Sequence, residues 1–311
     1  MTAWTSGERG IVALAAEQAP SVHNTSPWVL QFHDDDAHGV SLFENLGRAL
    51  PRHDPLGRDR LISCGAALTN MLLALRVLGW VPEISLRPDR TRRDEVARIV
   101  ARTRRVPTDA ELARHRAIGR RHSCRRPFLE APVDTGTLLT AHGVDGVELR
   151  ALSSADETAA VAKLLTHAAL VLRADRAYQR ELSVWTAADE HPGPGAGVAV
   201  ASRRNATLPW AGLVRHSTAV PDVETLTDRL GRERLILVET PDDGPLDQVR
   251  AGMAMQTAWL IATDAGLVGS VLTQPFQLPE VRAGLVETLS LPGFPQLLLR
   301  LGQPLDHEKE K

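Results

Sequence analysis

Apolar residues are spaced along this chain in two ways, one typical of helices and one typical of strands. Apolar side chains recur every three or four positions over residues 65–78 and 246–265, which predicts two long helices with a buried face. The same spacing predicts shorter helices over residues 7–19, 109–120, 134–142 and 155–173. Short apolar runs predict strands over residues 28–32, 40–43, 80–86, 147–152, 234–239 and 296–301. Helices and short strands are therefore expected along the whole chain.

The first predicted helix has recognisable ends. Ser6 is the expected N-cap, because a serine hydroxyl can accept a hydrogen bond from the free backbone N–H groups of the first turn. Pro20 ends the helix, since proline cannot donate the next backbone hydrogen bond. Ile11, Leu14 and Ala15 lie on one side of it and are expected to face the core.

The two long predicted helices match each other in register. Gly65 to Gly79 can be laid on Gly252 to Gly266 without a gap, so that the apolar positions of one helix fall on matching positions of the other. Both segments stop at a glycine, which is typical of a helix that ends in a left-handed residue. Each also follows a short helix and a strand. We interpret this pattern as an internal duplication, with residues 1–108 and 109–311 as two halves around a pseudo-twofold axis.

Composition places the chain among ordinary soluble proteins with a sizeable core, since 43% of its 311 residues are hydrophobic and 24% are charged. The formal net charge of −2 argues against nucleic acid as a partner. No apolar run approaches the roughly 18 residues that cross a bilayer, and the N-terminus lacks the plan of a signal peptide. We therefore expect a cytoplasmic protein. Cys64 and Cys124 are too far apart in sequence to suggest a zinc site or a disulfide framework.

Three polar or irregular segments interrupt the regular pattern. The arginine-rich stretch 87–105 is interpreted as a solvated face with a short helix, because a nucleic-acid arm would carry fewer interspersed acids. The aspartates at 34–36 are interpreted as a solvated turn, because no further carboxylate follows at the spacing of a calcium loop. Residues 189–220 begin with a run rich in glycine and proline, which predicts either a lid or an unstructured surface insertion.

Two polar segments, one in each half, could carry chemistry. Residues 20–28 (PSVHNTSPW) offer hydroxyl and amide groups to a polar ligand, although a plain turn after a helix would have a similar composition. Residues 120–128 (RRHSCRRPF) hold four arginines, whose guanidinium groups bind phosphate and planar carbonyl groups well. A solvated basic turn is the alternative for this second segment.

Together these segments resemble a known family. Pro-Ser-x-x-Asn-x-x-Pro-Trp and Arg-x-Ser-x-Arg-x-x-Phe are the flavin-binding segments of FMN-dependent nitroreductase-like proteins, and the chain most resembles the Acg-type NAD(P)H nitroreductases of actinobacteria. Residues 54–68 and 293–302 add to the resemblance, which spans about residues 7–304. It implies an α+β nitroreductase-like fold, two fused copies that form a pseudo-dimer, and FMN as the cofactor. NAD(P)H and a small aromatic acceptor, a nitroaromatic or a quinone, are the implied partners, with no nucleic acid or membrane.

The resemblance also implies how many flavin sites the chain has. Ordinary nitroreductases are homodimers with two FMN sites, each built from one of these segments in one subunit and the other segment in its partner. Each segment occurs once here, so the two sites would reduce to one between the halves. The chain would then act as a monomeric pseudo-dimer that could associate further.

Residue roles follow from the resemblance position by position. The FMN phosphate, ribityl chain and N1/O2 edge would be held by Arg121, Ser123 and Arg125. The pocket would be closed from the other half by Pro20, Ser21 and Asn24. Flavin N5 would face the loop at Thr273 and Gln274, and Arg300 would take the C-terminal basic position.

The resemblance requires no catalytic acid or base and no metal, because hydride transfer is the chemistry of the flavin itself. His23 and His122 are interpreted as structural histidines. Two other functions stay open at this point. One is a flavin-sequestering or stress-related FMN-binding protein with little turnover; the other is an arginine-rich nucleotide or nucleic-acid binder without flavin, which the net charge disfavours.

Overall fold

The structure is a computed structural model, and it describes residues 4–33, 39–89, 91–130, 134–186 and 213–305. Helices and strands are mixed along the chain, as the apolar spacing predicted. The helices are α1 (Ser6–Glu17), α2 (Arg58–Val77), α3 (Asp109–Ile118), α4 (Gly136–Thr140), α5 (Ala155–Ala174), α6 (Arg176–Thr186), α7 (Val223–Gly231), α8 (Pro245–Asp264) and α9 (Pro279–Leu289). The strands are β1 (Trp28–His33), β2 (Gly39–Glu44), β3 (Trp80–Leu86), β4 (Glu95–Arg104), β5 (Glu148–Ala151), β6 (Arg234–Thr240), β7 (Val268–Leu272) and β8 (Phe294–Gly302).

The described strands form two antiparallel sheets with the same strand order. The first sheet runs β1-β2-β4-β3, and the second runs β5-β6-β8-β7. In each half one long helix connects the second strand to the third in chain order: α2 joins β2 to β3, and α8 joins β6 to β7. Antiparallel sheets packed with helices make this an α+β fold, which confirms the expected class.

The two long helices pack against each other at a pair of glycines. A Cβ atom added to Gly65 would lie 2.1 Å from the carbonyl oxygen of Val249, and one added to Gly252 would lie 2.0 Å from that of Ile62. Such distances are far below van der Waals contact, so only glycine allows the helices to approach this closely. The contact is reciprocal, because the register read from the sequence matches residue 62 with 249 and residue 65 with 252.

α2 is the central helix of the fold. Its side chains share one apolar cluster with α8 and with residues from both sheets. Among the described residues, α2 alone has the length and composition of a membrane-spanning helix, and 83% of its most apolar 18-residue stretch is buried inside the protein. The position of α2 in the core therefore explains its apolar composition.

α2 also starts seven residues earlier than the apolar spacing predicted. Its first turn holds Arg58 and Asp59, which are almost completely buried. The Arg58 guanidinium forms an ion pair with Asp243 and donates a hydrogen bond of 2.9 Å to the Gln296 side chain. These partners belong to the second half of the chain, so the local sequence pattern gives no sign of them.

Two local expectations are wrong. The short helix expected within residues 87–105 is strand β4, in which buried Ala97 and Ile99 pair with both neighbouring strands while most arginines face solvent. The N-cap of α1 is Thr5 rather than Ser6, in a capping box with Glu8.

The buried face of α1 also differs from the expected one. Ile11 and Leu14 are 42% and 60% exposed, whereas Val12, Ala15 and Ala16 are buried. Two other expectations fall outside the described residues: the turn at 34–36, and the predicted lid from 189 to 212. The described end of that lid segment begins at Leu213 and Val214, which are both buried.

Candidate functional site

A cleft of about 870 Å³, counted with its solvent-open mouth, lies where loops from distant parts of the chain meet the first turns of α2. Eight of the nine residues selected from the sequence line this cleft: Pro20, Ser21, Asn24, Arg121, Ser123, Arg125, Thr273 and Gln274. They come from three segments separated by about 100 and 150 residues, so the fold brings them together.

One wall is the loop after α1. His23, Asn24 and Ser26 adopt left-handed backbone conformations, with φ angles of 47°, 53° and 43°. Non-glycine residues rarely adopt this conformation, and they hold it only where surrounding contacts require it. Two such contacts are hydrogen bonds from the Val22 N–H to Ser63 Oγ, at 3.1 Å, and from the Ser26 N–H to Ser21 Oγ, at 3.0 Å. The loop is therefore fixed in one shape at the mouth of the cleft.

The opposite wall is the arginine-rich segment. The Cys124 N–H donates a hydrogen bond of 2.8 Å to the Gly269 carbonyl, and Ser123 forms a parallel bridge with Gly269. The segment is thereby attached to the edge of β7. Because side chains alternate along an extended segment, Arg121, Ser123 and Arg125 share one side and line the cleft, while Cys124 is buried behind them.

The surroundings of Arg121 and Arg125 disfavour their positive charge. Burial, and then the neighbouring Arg125, lower the pKa of Arg121 to about 10. Burial, and then Arg300, lower the pKa of Arg125 as well. The Arg121 guanidinium lies 4.6 Å above the ring of Trp259, and its Nε has no hydrogen-bond partner among the described residues. A nearby anion would relieve both the repulsion and the missing hydrogen bond.

The floor of the cleft holds a buried carboxylate that the sequence analysis missed. Asp59 accepts hydrogen bonds from Thr273 Oγ1 at 2.6 Å, from Gln274 Nε2 at 3.1 Å and from Gln277 Nε2 at 2.7 Å. Burial, and then the neighbouring Asp54, raise the pKa of Asp59 to about 7. The cleft therefore has cations on one wall and a titratable acid at its floor.

A buried pair of histidines supports the loop wall. His23 Nε2 lies 2.6 Å from His53 Nδ1, and the other nitrogen of His53 lies 3.2 Å from the Tyr178 carbonyl. A carbonyl only accepts, so His53 Nε2 carries the proton and His53 Nδ1 accepts from His23. Burial lowers the pKa of His23 to about 3 and that of His53 to about 4, so both rings are neutral at pH 7.

Tyr178 extends this pair towards the floor of the cleft. Its ring stacks on His53 with 4.0 Å between centroids, and its hydroxyl lies 3.2 Å from Gln274 Oε1. His23 is held by these contacts and also lines the cleft, so its interpretation as a structural histidine stays a prediction. His53 and Tyr178 carry no local motif, and only their tertiary contacts reveal them.

Arg300 lies behind the cleft wall rather than on it. It is completely buried, and its Nε donates to Glu233 Oε2 at 2.6 Å while one of its terminal nitrogens donates to Ser270 Oγ at 2.9 Å. Its guanidinium also lies 4.9 Å from the centre of the Phe128 ring. Arg300 therefore braces the segment that carries Arg125, and its contact with a cofactor stays a prediction.

Comparison with known proteins supports the resemblance that these residues carry. No family model matches the chain. The Mycobacterium tuberculosis H37Rv protein named "Putative NAD(P)H nitroreductase Rv3131" is 32% identical over 301 residues, which cover 94% of this chain and 84% of that protein. "Putative NAD(P)H nitroreductase acg" of the same organism is 29% identical over 304 residues, covering 92% and 86%.

Among solved structures, the FMN-dependent nitroreductase NfnB of Mycobacterium smegmatis in complex with NADPH is 16% identical, with a TM-score of 0.40 over 64% of this chain and 90% of that one. A nitroreductase with bound FMN from Bacteroides fragilis gives a TM-score of 0.39 at 14% identity, over 62% of this chain and 89% of that one. The family membership rests on the sequence relatives, whose similarity runs almost from end to end and confirms the resemblance read from the two polar segments. The chain belongs to the NAD(P)H nitroreductase family of Rv3131 and acg.

Proposed function

We propose that this protein is an FMN-dependent oxidoreductase that holds one FMN in the cleft between its two halves and passes electrons from NAD(P)H to a small aromatic acceptor. The observation that carries the proposal is the convergence of eight selected residues on one cleft. NAD(P)H is the partner named for the family members, and FMN is the cofactor named for the solved nitroreductases.

The residues of the cleft fit FMN chemically. The arginine wall offers two half-buried guanidinium groups, and the Arg121 Nε–H has no partner among the described residues; these groups suit a phosphate and the N1/O2 edge of the ring. The loop wall offers Ser21 and Asn24, which would close the pocket from the first half. Bound FMN would supply the hydride chemistry, and these side chains would bind it, orient it and exclude water.

Duplication of one ancestral unit explains why the cleft takes residues from both halves. Three observations support it: the two sheets share one strand order, each has its long helix at the same point, and the helices meet in a reciprocal glycine contact. Division into halves 1–108 and 109–311 is consistent with these elements. A single chain would then take the place of the homodimer, with one cleft where a homodimer has two.

The stoichiometry of bound flavin tests the proposal. We expect one FMN per chain when the purified protein is denatured with acid and the released flavin is compared with the protein concentration. A ratio near two would contradict a single site, and absence of flavin together with no binding of added FMN would contradict the cofactor.

Paired arginine variants test where the flavin binds. Arg121→Ala should weaken FMN binding roughly tenfold to a hundredfold, because a charged hydrogen bond in a partly buried site contributes about 1.5–3 kcal/mol. Arg126 belongs to the same segment but lies outside the cleft lining, so Arg126→Ala should change the Kd less than threefold. Equal losses would indicate a diffuse basic surface instead.

Anaerobic addition of NADPH separates turnover from storage. Bleaching of the flavin absorbance, followed by recovery on adding a quinone, is the expected result for an oxidoreductase. A flavin that stays oxidised under excess NADPH and NADH would contradict the proposed electron transfer and favour sequestration.

A further inference from the structure

We propose that Asp59 donates a proton to the electron acceptor in the cleft as that acceptor is reduced, and regains a proton from water afterwards. The inference rests on the proposed function, because it takes the cleft to be the place where reduction occurs. It assigns an acid to a reaction for which the sequence motifs name none.

Reduction of a quinone needs a hydride and a proton. The proposed partner NAD(P)H supplies the hydride through the bound cofactor, and the second carbonyl oxygen of the quinone must take up a proton to give the hydroquinone. In this step the O–H bond of the Asp59 carboxyl group breaks and an O–H bond forms on the acceptor. The overall balance is NAD(P)H, a proton and quinone giving NAD(P)⁺ and hydroquinone.

The described part of the cleft lining contains one suitable proton donor. Among the described lining residues, Asp59 is the one carboxylic acid. The arginines do not release protons at neutral pH, and serine and threonine hydroxyls are far too weakly acidic. His23 is held neutral by burial, and its Nε2 proton is engaged with His53. Of the lining residues that the structure describes, Asp59 is the one whose proton can leave near pH 7.

The contacts of Asp59 suit both of its protonation states. As a carboxylate it accepts from Thr273, Gln274 and Gln277. When Asp59 is protonated on the oxygen that faces Thr273, the threonine hydroxyl can rotate and accept instead, because a hydroxyl is both donor and acceptor. Loss and gain of the proton therefore require no backbone movement.

Burial first, and then the charge of Asp54, raise the pKa of Asp59 and keep its proton bound near neutrality. Asp54 lies beside it and disfavours a second negative charge, and the Asp59 N–H donates to Asp54 Oδ1 at 3.1 Å. Arg58 acts in the opposite direction, but its guanidinium is paired with Asp243. Tyr178 also faces Asp59, and burial followed by the Asp59 charge raises the pKa of its phenol, so that it stays neutral.

Direct titration of the carboxyl group tests this inference. The full chain is labelled with ¹³C-aspartate, and the side-chain carboxyl resonances are followed against pH with and without FMN. We expect one resonance with a midpoint near pH 7 that is missing from Asp59→Asn. The midpoint should fall in Asp54→Asn, which removes the adjacent charge, and rise in Thr273→Val, which removes a donor to the carboxylate. A midpoint below pH 5, or no shift in either variant, would overturn the proposal.

Kinetic measurements then connect the titration to the reaction. The kcat for quinone reduction should fall as the pH rises through the measured midpoint, and this dependence should move with the midpoint in Asp54→Asn. Asp59→Asn should lower kcat at pH 6.5 by about 100-fold, a typical effect of losing a general acid. Unchanged pH dependence in Asp54→Asn despite a shifted midpoint would reject Asp59 as the donor. Failure of flavin binding would contradict the proposed function instead, and it would leave the titration of Asp59 readable.

Discussion

The reciprocal glycine contact between α2 and α8 predicts a specific loss of stability on adding a single methyl group. In Gly65→Ala the new Cβ would lie 2.1 Å from a backbone oxygen, and in Gly252→Ala 2.0 Å. Real Cβ contacts stay beyond 3.0 Å, so the helices must separate by about 1 Å at this point. Overpacking of this kind costs about 3 kcal/mol, and the better helix propensity of alanine returns about 1 kcal/mol. We expect a net loss of about 2 kcal/mol for each variant.

Urea unfolding followed by circular dichroism measures this loss. With a slope of about 2 kcal/mol per molar urea, each midpoint should fall by about 1 M. The matched control is Gly10→Ala in α1, where an added Cβ meets nothing within 4 Å, so stability should rise by about 0.5–1 kcal/mol. The double variant should lose clearly less than the sum, because one separation of the helices relieves both clashes. Glycine variants as stable as the wild type would refute the close packing, and strictly additive losses would refute its reciprocal character.

Two further predictions concern buried polar groups. Burial keeps the pKa of His23 and His53 below their unfolded values, so below about pH 6.5 the unfolded chain binds more protons than the folded one. The free energy of unfolding should therefore fall as the pH drops from 6.5 to 4, by about 1.4 kcal/mol per pH unit for each ring. Because the raised pKa of Asp59 has the opposite effect on stability, the urea midpoints of the wild type and His53→Gln should be compared at pH 7 and pH 5. An equal drop in both proteins would count against the histidine pair. Glu233→Gln leaves the completely buried Arg300 without its carboxylate and should cost about 3–5 kcal/mol, whereas Asp228→Asn removes an exposed ion pair with Arg232 and should cost less than about 1 kcal/mol. Thermal unfolding measures both, and similar losses would contradict the buried pair.

The parts of the fold that follow from local spacing could be predicted from the sequence. The register between Gly65 and Gly252 is an example, because repeated apolar positions and terminal glycines mark both helices. The start of α2 could not be predicted, because Arg58 becomes a core residue through its contacts with Asp243, which lies between β6 and α8, and with Gln296 of β8. The apolar spacing also gave no prediction for α6, α7, β7 and α9.

Some residues of the candidate site could likewise be predicted from the sequence, and others could not. Arg121, Ser123 and Arg125 belong to a contiguous motif, so their place on the cleft could be predicted. Asp59 lies within residues 54–68, which add to the resemblance, and His53 lies just before them, but the resemblance gives neither residue a role. Their partners Thr273 and Tyr178 are more than 100 residues away, and such pairings exist only in the folded chain.

The attachment of residues 121–125 to β7 has a consequence for the solubility of the protein. β7 is the last strand of its sheet, and an uncovered edge strand is a template for pairing with a second molecule. The hydrogen bond from Cys124 to Gly269 occupies part of that edge. The same short segment therefore opposes intermolecular strand addition. A mutation that loosens it would favour aggregation and would also disturb the arginine-rich wall of the cleft.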